Sequence, residues 1–166
     1  EAVYGSLQDQ SALCQAMQGC DVLFHIAGVY GYRQEMQRQY TPVNIYGTEN
    51  VLQAAVQAGV GRIGYTSSIA VLGDTHGEVV DESHRTNPPW TTAYDRSKWL
   101  AHYRVVEPLI QQGAPVVVVM PGGVYGQGDP SVIADLFRLL YRGILKILPG
   151  SDTHISFVHV EDTARG

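Results

Sequence analysis

Two residues of this sequence combine types and spacing suited to acid/base chemistry: Tyr94 and Lys98, in the segment Tyr94-Asp95-Arg96-Ser97-Lys98. Four residues make just over one turn of an α-helix, so the two side chains share a helix face. A lysine ammonium beside a phenol favours the phenolate and lowers the tyrosine pKa from its reference value of about 10. The pair therefore predicts a general acid/base near neutral pH, although a tyrosine and a lysine on a solvated helix face would share this spacing.

Small and hydroxyl-bearing residues follow three apolar runs that are typical of strands. Ligands of open α/β sheets bind at the carboxyl ends of strands, where a serine hydroxyl can hydrogen-bond a substrate oxygen and glycine lets a flat ligand approach the backbone. Each segment taken alone would also suit an ordinary turn. The residues are Ser67 and Ser68 after 62–66, Ile26, Ala27 and Gly28 at the end of 21–27, and Pro121, Gly122, Gly123 and Val124 after 115–120.

The elements that must position these residues alternate between strands and helices. Strands are predicted over 21–27, 62–66, 115–120 and 155–158, and helices over 44–58, from Thr91 or Thr92 to about 112, and from 129–131 to about 142. This alternation predicts an α/β fold of parallel βαβ units covered on both faces. Residues 2–4 resemble the end of a strand, and residues 160–165 resemble the start of a helix.

The composition of the chain excludes several classes of protein. Its 166 residues, 45% hydrophobic and 16% charged, suit one globular domain. A net charge of −5 with scattered arginines argues against nucleic acid as a partner, and without a run of about 18 apolar residues no membrane span is predicted. Cys14 and Cys20 are too few for a disulfide scaffold, and with no visible signal peptide they indicate a reducing, cytoplasmic location.

Two other patterns carry no cofactor or metal chemistry. Residues 59–64 fit G-x-G-x-x-G, but they follow a helix and open a strand, which is the reverse of a dinucleotide-binding turn. The six histidines form no metal-ligand spacing, so no metal site is predicted. His159 is interpreted as a packed or helix-capping residue.

In order and spacing, these segments resemble the extended short-chain dehydrogenase/reductase family, which includes NAD-dependent epimerases and dihydroflavonol-4-reductase-like reductases. The resemblance covers essentially the whole chain and implies a Rossmann-like doubly wound parallel sheet that lacks its first βαβ units. The matching segments are 19–27, 44–52, 65–73, 81–82, 94–98, 121–128 and 157–162.

The resemblance also implies roles for individual residues. Tyr94 would be the catalytic acid/base, Lys98 would lower its pKa and hold the nicotinamide ribose, and Ser68 would orient the substrate hydroxyl or carbonyl. The reaction would be hydride transfer between C4 of the nicotinamide and a carbinol or carbonyl carbon. The implied contacts of NAD or NADP are Ile26, Ala27, Gly28, Ser67, Tyr94, Lys98, Pro121, Gly122, Gly123 and Val124.

Some family features are missing from this sequence, namely the first strand, the glycine-rich turn and the residue that selects NAD or NADP. We therefore expect residues 1–166 to be a partial NAD(P)-binding domain of a longer enzyme, with the start of the substrate-binding part within about 127–166. Such a piece would bind the cofactor poorly by itself. Ile69-Ala70 stands where the family's dehydratases carry Asp-Glu, which disfavours a dehydratase.

Three functions stay open on this sequence: a reductase of ketones or aldehydes, a nucleotide-sugar epimerase, and a nucleotide-sensing protein without turnover. The partner is accordingly a small carbonyl or alcohol compound or a nucleotide sugar. Helices 44–58 and 91–112 correspond to those that many relatives use to dimerise, so a homodimer is expected.

Overall fold

The computed structural model describes residues 2–31, 33–86, 88, 90–129, 131–146 and 154–166. The chain divides into two compact units. The first comprises Glu1–Gly73 and His84–Met120, and the second comprises Asp74–Ser83 and Pro121–Gly166. Ser67, Ser68, Tyr94 and Lys98 all belong to the first unit.

The first unit is built on a three-stranded parallel sheet with the order β1-β2-β3. The strands are β1 (Val22–His25), β2 (Arg62–Thr66) and β3 (Val116–Val119). His25 pairs with Tyr65, and Thr66 pairs with Val119, so the three carboxyl ends lie at one edge of the sheet. The four successive valines of β3 are β-branched residues that fit a pleated sheet well. The predicted parallel α/β fold is thereby confirmed.

Helices connect these strands, and two of the connections contain π-helical turns. Helix α1 is Gln10–Met17; α2 (Gln34–Gln39) continues through the π-helical segment Tyr40–Gly47 into α3 (Thr48–Gln57). Helix α4 (Ala93–Leu100) continues through the π-helical segment Ala101–Val106 into α5 (Glu107–Gln111). The predicted helix over 44–58 therefore begins earlier, and α1 was not predicted.

The start of α4 follows the prediction from sequence. Thr92 accepts a hydrogen bond from the Asp95 backbone N–H, and the Asp95 carboxylate accepts one from the Thr92 backbone N–H. This reciprocal capping box satisfies two backbone donors that the first helical turn leaves unpaired. It fixes the helix end two residues before Tyr94.

The core of the first unit lies against one face of the sheet. Ile63 and Tyr65 of β2 are each 1% exposed and pack with Leu52 and Ala55 of α3. Alternate residues of the strands point to the other face, where Phe24 is 73% exposed. Among the described residues of this unit, α3 packs against the face that Ile63 and Tyr65 share.

The described residues of the second unit form two short parallel strands and two helices. These are β4 (Gly123–Tyr125), β5 (Phe157–His159), α6 (Val132–Tyr141) and α7 (Val160–Arg165). The Ser131 side chain caps α6 by accepting from the Ala134 backbone N–H. His159 Nδ1 accepts from the Glu161 backbone N–H, which confirms the predicted capping role.

Several boundaries differ from those predicted. Residues 2–6 form neither helix nor strand, β4 was not predicted, and β5 begins two residues later than the predicted 155–158. Pro130 and residues 147–153, which belong to the predicted substrate-binding part, lie outside the described residues. Within the described ranges, no helix has the length and apolar character that crossing a membrane requires.

Candidate functional site

Helix α4 aims Tyr94 and Lys98 at the carboxyl end of β2. The Lys98 ammonium donates a hydrogen bond to the Thr66 backbone carbonyl at 2.9 Å, and its nitrogen lies 5.1 Å from the centroid of the Tyr65 ring. The side chain is 7% exposed. Tyr94 and Lys98 therefore share a helix face as predicted, and Lys98 is buried at the edge of the sheet.

The Tyr94 phenol is half-buried among other aromatic rings. The rings of Tyr30 and Tyr40 meet it edge-on, with centroids 5.0 Å and 5.9 Å away. Burial raises the pKa of Tyr94, and the charge of Asp95 raises it further, whereas a hydrogen bond with the Ser68 side chain lowers it. The expectation that Lys98 depresses this pKa is therefore not met here, because burial outweighs the other influences.

Ser68 occupies the turn between β2 and a short 3₁₀ segment, Ile69–Leu72. Its backbone is extended, and its hydroxyl accepts a hydrogen bond from the Ala70 backbone N–H at 3.2 Å. The same side chain lies close enough to Tyr94 to lower the pKa of the phenol. The first unit therefore brings together the three residues predicted as catalytic.

A cavity of about 190 Å³ opens beside Tyr94. Its wall combines aromatic rings with the polar groups of the α4 capping box, so it offers a flat ligand both stacking surfaces and hydrogen-bond partners. The lining residues are Tyr30, Gln37, Tyr40, Thr92, Ala93, Tyr94 and Asp95.

Burial also changes the pKa of Lys98. The ammonium is removed from water at the sheet edge, and this desolvation lowers its pKa to about 8. A lysine with such a pKa remains mostly protonated at neutral pH. It therefore places a positive charge beside the two serines.

Ser67 points away from open solvent and into the interior. Its hydroxyl oxygen and Nδ1 of His102 are 2.8 Å apart in a buried hydrogen bond. Its backbone N–H donates to the Val119 carbonyl of β3. His102 was not identified from the sequence, although its spacing of four from Lys98 places it on the same helix face.

Asn44 joins the loop after β1 to the helix that carries Tyr94. Its side-chain oxygen accepts from the Val29 N–H at 2.7 Å, and its amide nitrogen donates to the Val29 carbonyl and to Ser97 Oγ, each at 3.0 Å. Ser97 in turn donates to the Tyr94 carbonyl at 2.8 Å. The residue is 2% exposed, so this is a buried clamp that positions the turn of Tyr94.

His25 forms a neutral buried contact beneath the same sheet edge. Thr48 Oγ1 donates its proton to the Asn44 carbonyl, so Nε2 of His25, 2.9 Å away, donates to Thr48 Oγ1. The imidazole stacks on Tyr65 with centroids 5.7 Å apart. Burial first, and the charge of Lys98 second, lower the pKa of His25 to about 4.

This shift predicts a loss of stability in acid. The unfolded chain protonates His25 near pH 6.5 and the folded chain only near pH 4, so protonation favours the unfolded state between these values. Lowering the pH from 7 to 5 should reduce the free energy of unfolding by about 2 kcal/mol more in the wild-type protein than in His25→Gln. Urea unfolding at both pH values measures this difference.

Glutamine is the suitable replacement because its amide nitrogen can still donate to Thr48 without titrating. His76→Gln is the matched control, since His76 is 87% exposed by side chain and should keep the wild-type pH dependence. Equal acid destabilisation of His25→Gln and wild type would contradict the assignment.

The predicted cofactor contacts fall into both units. Ile26, Ala27 and Gly28 follow β1 and are exposed at the carboxyl edge of the sheet. Pro121 and the residues 122–124 belong to the second unit, where a Cβ on Gly122 would collide with the Ser156 carbonyl. The nearby Ser156 carbonyl therefore explains why position 122 is a glycine. The cofactor contacts of residues 121–124 stay predictions.

Comparison with known proteins identifies related sequences along almost the whole chain. The sequence pattern of the 3-beta hydroxysteroid dehydrogenase/isomerase family matches residues 1–165. A Synechocystis protein provisionally named dihydroflavonol 4-reductase is 33% identical over 99% of this chain and 48% of its own length. The 3 beta-hydroxysteroid dehydrogenase/Delta 5→4-isomerase of Mycobacterium tuberculosis is 29% identical over 90% of this chain and 42% of its own length. The chain therefore spans less than half of these relatives.

Solved structures agree with this result. The dTDP-glucose 4,6-dehydratase of Streptomyces venezuelae, whose structure has NAD bound, aligns with a TM-score of 0.78 and 26% identity. The alignment covers 98% of this chain and 52% of that enzyme. The predicted Rossmann-like fold and the predicted relationship to extended short-chain dehydrogenases are confirmed.

Proposed function

Because this chain belongs to the 3-beta hydroxysteroid dehydrogenase/isomerase family, we propose that it carries the acid/base site of a nicotinamide-dependent oxidoreductase that interconverts a secondary alcohol and a carbonyl. The observation that carries the proposal is the meeting of Ser68, Tyr94 and Lys98 at the carboxyl end of β2. A phenol, a hydroxyl and a buried ammonium together suit proton transfer at a substrate oxygen.

Tyr94 handles the proton in this proposal. Its raised pKa keeps the phenol protonated at neutral pH, so in the reducing direction it donates its proton to the oxygen of the substrate carbonyl. In the oxidising direction Tyr94 first releases its own proton to water, and the phenolate oxygen then accepts the proton of the substrate hydroxyl. Ser68, whose side chain lies near Tyr94, orients the same substrate oxygen.

The residues at this edge fit a nicotinamide dinucleotide. Ile26, Ala27 and Gly28 form an exposed strip after β1, and Gly28 has no side chain to obstruct a nucleotide. The Lys98 ammonium carries three N–H donors, and the Thr66 carbonyl uses one of them. Lys98 would hold the ribose hydroxyls, and the bound nicotinamide would supply or accept the hydride at C4.

Hydride transfer can be tested directly in the whole protein. A panel of hydroxysteroids, other secondary alcohols and nucleotide sugars, each deuterated at the carbinol carbon, is incubated with NAD or NADP. The expected result is transfer of deuterium to C4 of the nicotinamide together with release of reduced cofactor and ketone in equal amounts.

Other outcomes separate the remaining functions. An epimerase would interconvert two nucleotide sugars and release no net reduced cofactor, because its hydride returns to the substrate. A protein that binds the cofactor and transfers no deuterium from any substrate would contradict the proposed catalytic role and favour a sensor.

A further inference from the structure

Three successive residues at the end of β2 meet three successive turns of one helix. The Thr66 carbonyl accepts from Lys98, the Ser67 hydroxyl bonds to His102, and the Ser68 side chain lies close enough to Tyr94 to lower its pKa. The helical residues are spaced by four, which places them in a row along one helix face. We call these three contacts the strand-end ladder.

The proposed reaction uses Lys98, Ser68 and Tyr94. It assigns no role to the contact between Ser67 and His102. His102 is 9% exposed and Ser67 is 4% exposed, so their hydrogen bond is shielded from water. If one side chain of a buried hydrogen bond moved away, the polar group of the other would be left without a partner, which costs free energy. The two side chains therefore keep a defined distance. The contact therefore fixes helix and strand end relative to each other.

The consequence for Ser68 is direct. Residue 67 is held through its backbone by β3 and through its side chain by His102, and the chain leaves the strand at the next residue. The position of Ser68 Oγ relative to Tyr94 therefore depends on how residue 67 is anchored. His102 also lies in the π-helical segment Ala101–Val106, and such segments are frequent at functional sites.

We propose that His102 is a positioning residue that, through Ser67, sets the distance between the Ser68 and Tyr94 hydroxyls. This inference rests on the proposed function of the site. His102 touches neither substrate nor cofactor in it. A small displacement of the reacting groups strongly lowers the rate of the chemical step and changes substrate binding less.

Two replacements of His102 separate positioning from packing. His102→Leu removes the hydrogen bond and keeps an apolar side chain of moderate size. His102→Asn keeps a polar atom at the same number of bonds from Cα as Nδ1, so it can still bond to Ser67. We expect kcat of His102→Leu to fall about tenfold with substrate and cofactor KM changed less than about threefold, and His102→Asn to recover most of the loss.

The comparison uses the whole protein, with folding of each variant checked by thermal unfolding. His154→Leu is the matched control, because His154 is exposed. If His102→Leu does not fold, Ser67→Ala removes the same bond and should show the same kcat loss. Wild-type kcat in folded His102→Leu, or equal losses in the Leu and Asn variants, would overturn the inference. Absence of hydride transfer in the wild type would instead contradict the proposed function.

Discussion

Replacing Tyr94 by phenylalanine is expected to lower kcat for alcohol oxidation about 10³-fold, within the range that general acid/base groups contribute. The ring remains and keeps its edge contacts with Tyr30 and Tyr40, so the fold of the site should survive. The variant loses only the hydroxyl that lies near Ser68 and is proposed to carry the proton. Steady-state release of reduced cofactor measures the effect.

The matched control is Tyr103→Phe. This tyrosine lies on the same continuous helix, and its ring packs under the Arg85 guanidinium at 5.0 Å and against the His102 ring. The substitution keeps that ring and removes only a hydroxyl that the proposed reaction does not use. Its kcat should stay close to that of the wild type. Turnover of Tyr94→Phe at the wild-type rate would show that another group moves the proton.

Replacing Lys98 by methionine should reduce kcat/KM for the cofactor about 10²-fold, because one change removes a buried charge and the donors proposed for the ribose. Methionine retains an unbranched apolar stem in the buried position. The expected pattern is a higher KM for NAD or NADP together with a lower kcat. Initial rates at varied cofactor concentration resolve both parameters.

The chain provides its own control for this experiment. The sequence has one other lysine, Lys146, and its side chain is exposed in the second unit. Lys146→Met makes the same chemical change outside the first unit and should leave both parameters unchanged. An unaltered cofactor KM in Lys98→Met would exclude Lys98 from ribose binding.

The sequence was most informative where local rules control structure. Thr92 and Asp95 form the predicted helix start because capping is a contact between near neighbours. The bounds of β2 coincide with the predicted 62–66, since its alternation and flanking glycine are local signals. The order of motifs was sufficient to identify the family, because it samples the whole chain.

Long-range contacts were less accessible from the sequence. The Asn44 clamp and the Ser67–His102 bond join residues 53 and 35 positions apart, so no local pattern indicates them. The π-helical turns also escaped prediction, because they depart from the 3.6-residue period by which a sequence indicates a helix. The direction of the Tyr94 pKa shift is set by burial, and the neighbouring residues in the sequence do not reveal how buried Tyr94 is.

The Lys98 contact in the strand-end ladder has an evolutionary consequence. Its acceptor is the backbone carbonyl of Thr66, which every amino acid supplies. Relatives can therefore exchange the side chain at position 66 and still anchor the lysine, whereas position 67 must retain a hydrogen-bonding side chain to keep its partner. The residue at position 66 would then vary among relatives while the hydrogen bond between its carbonyl and the lysine stays the same.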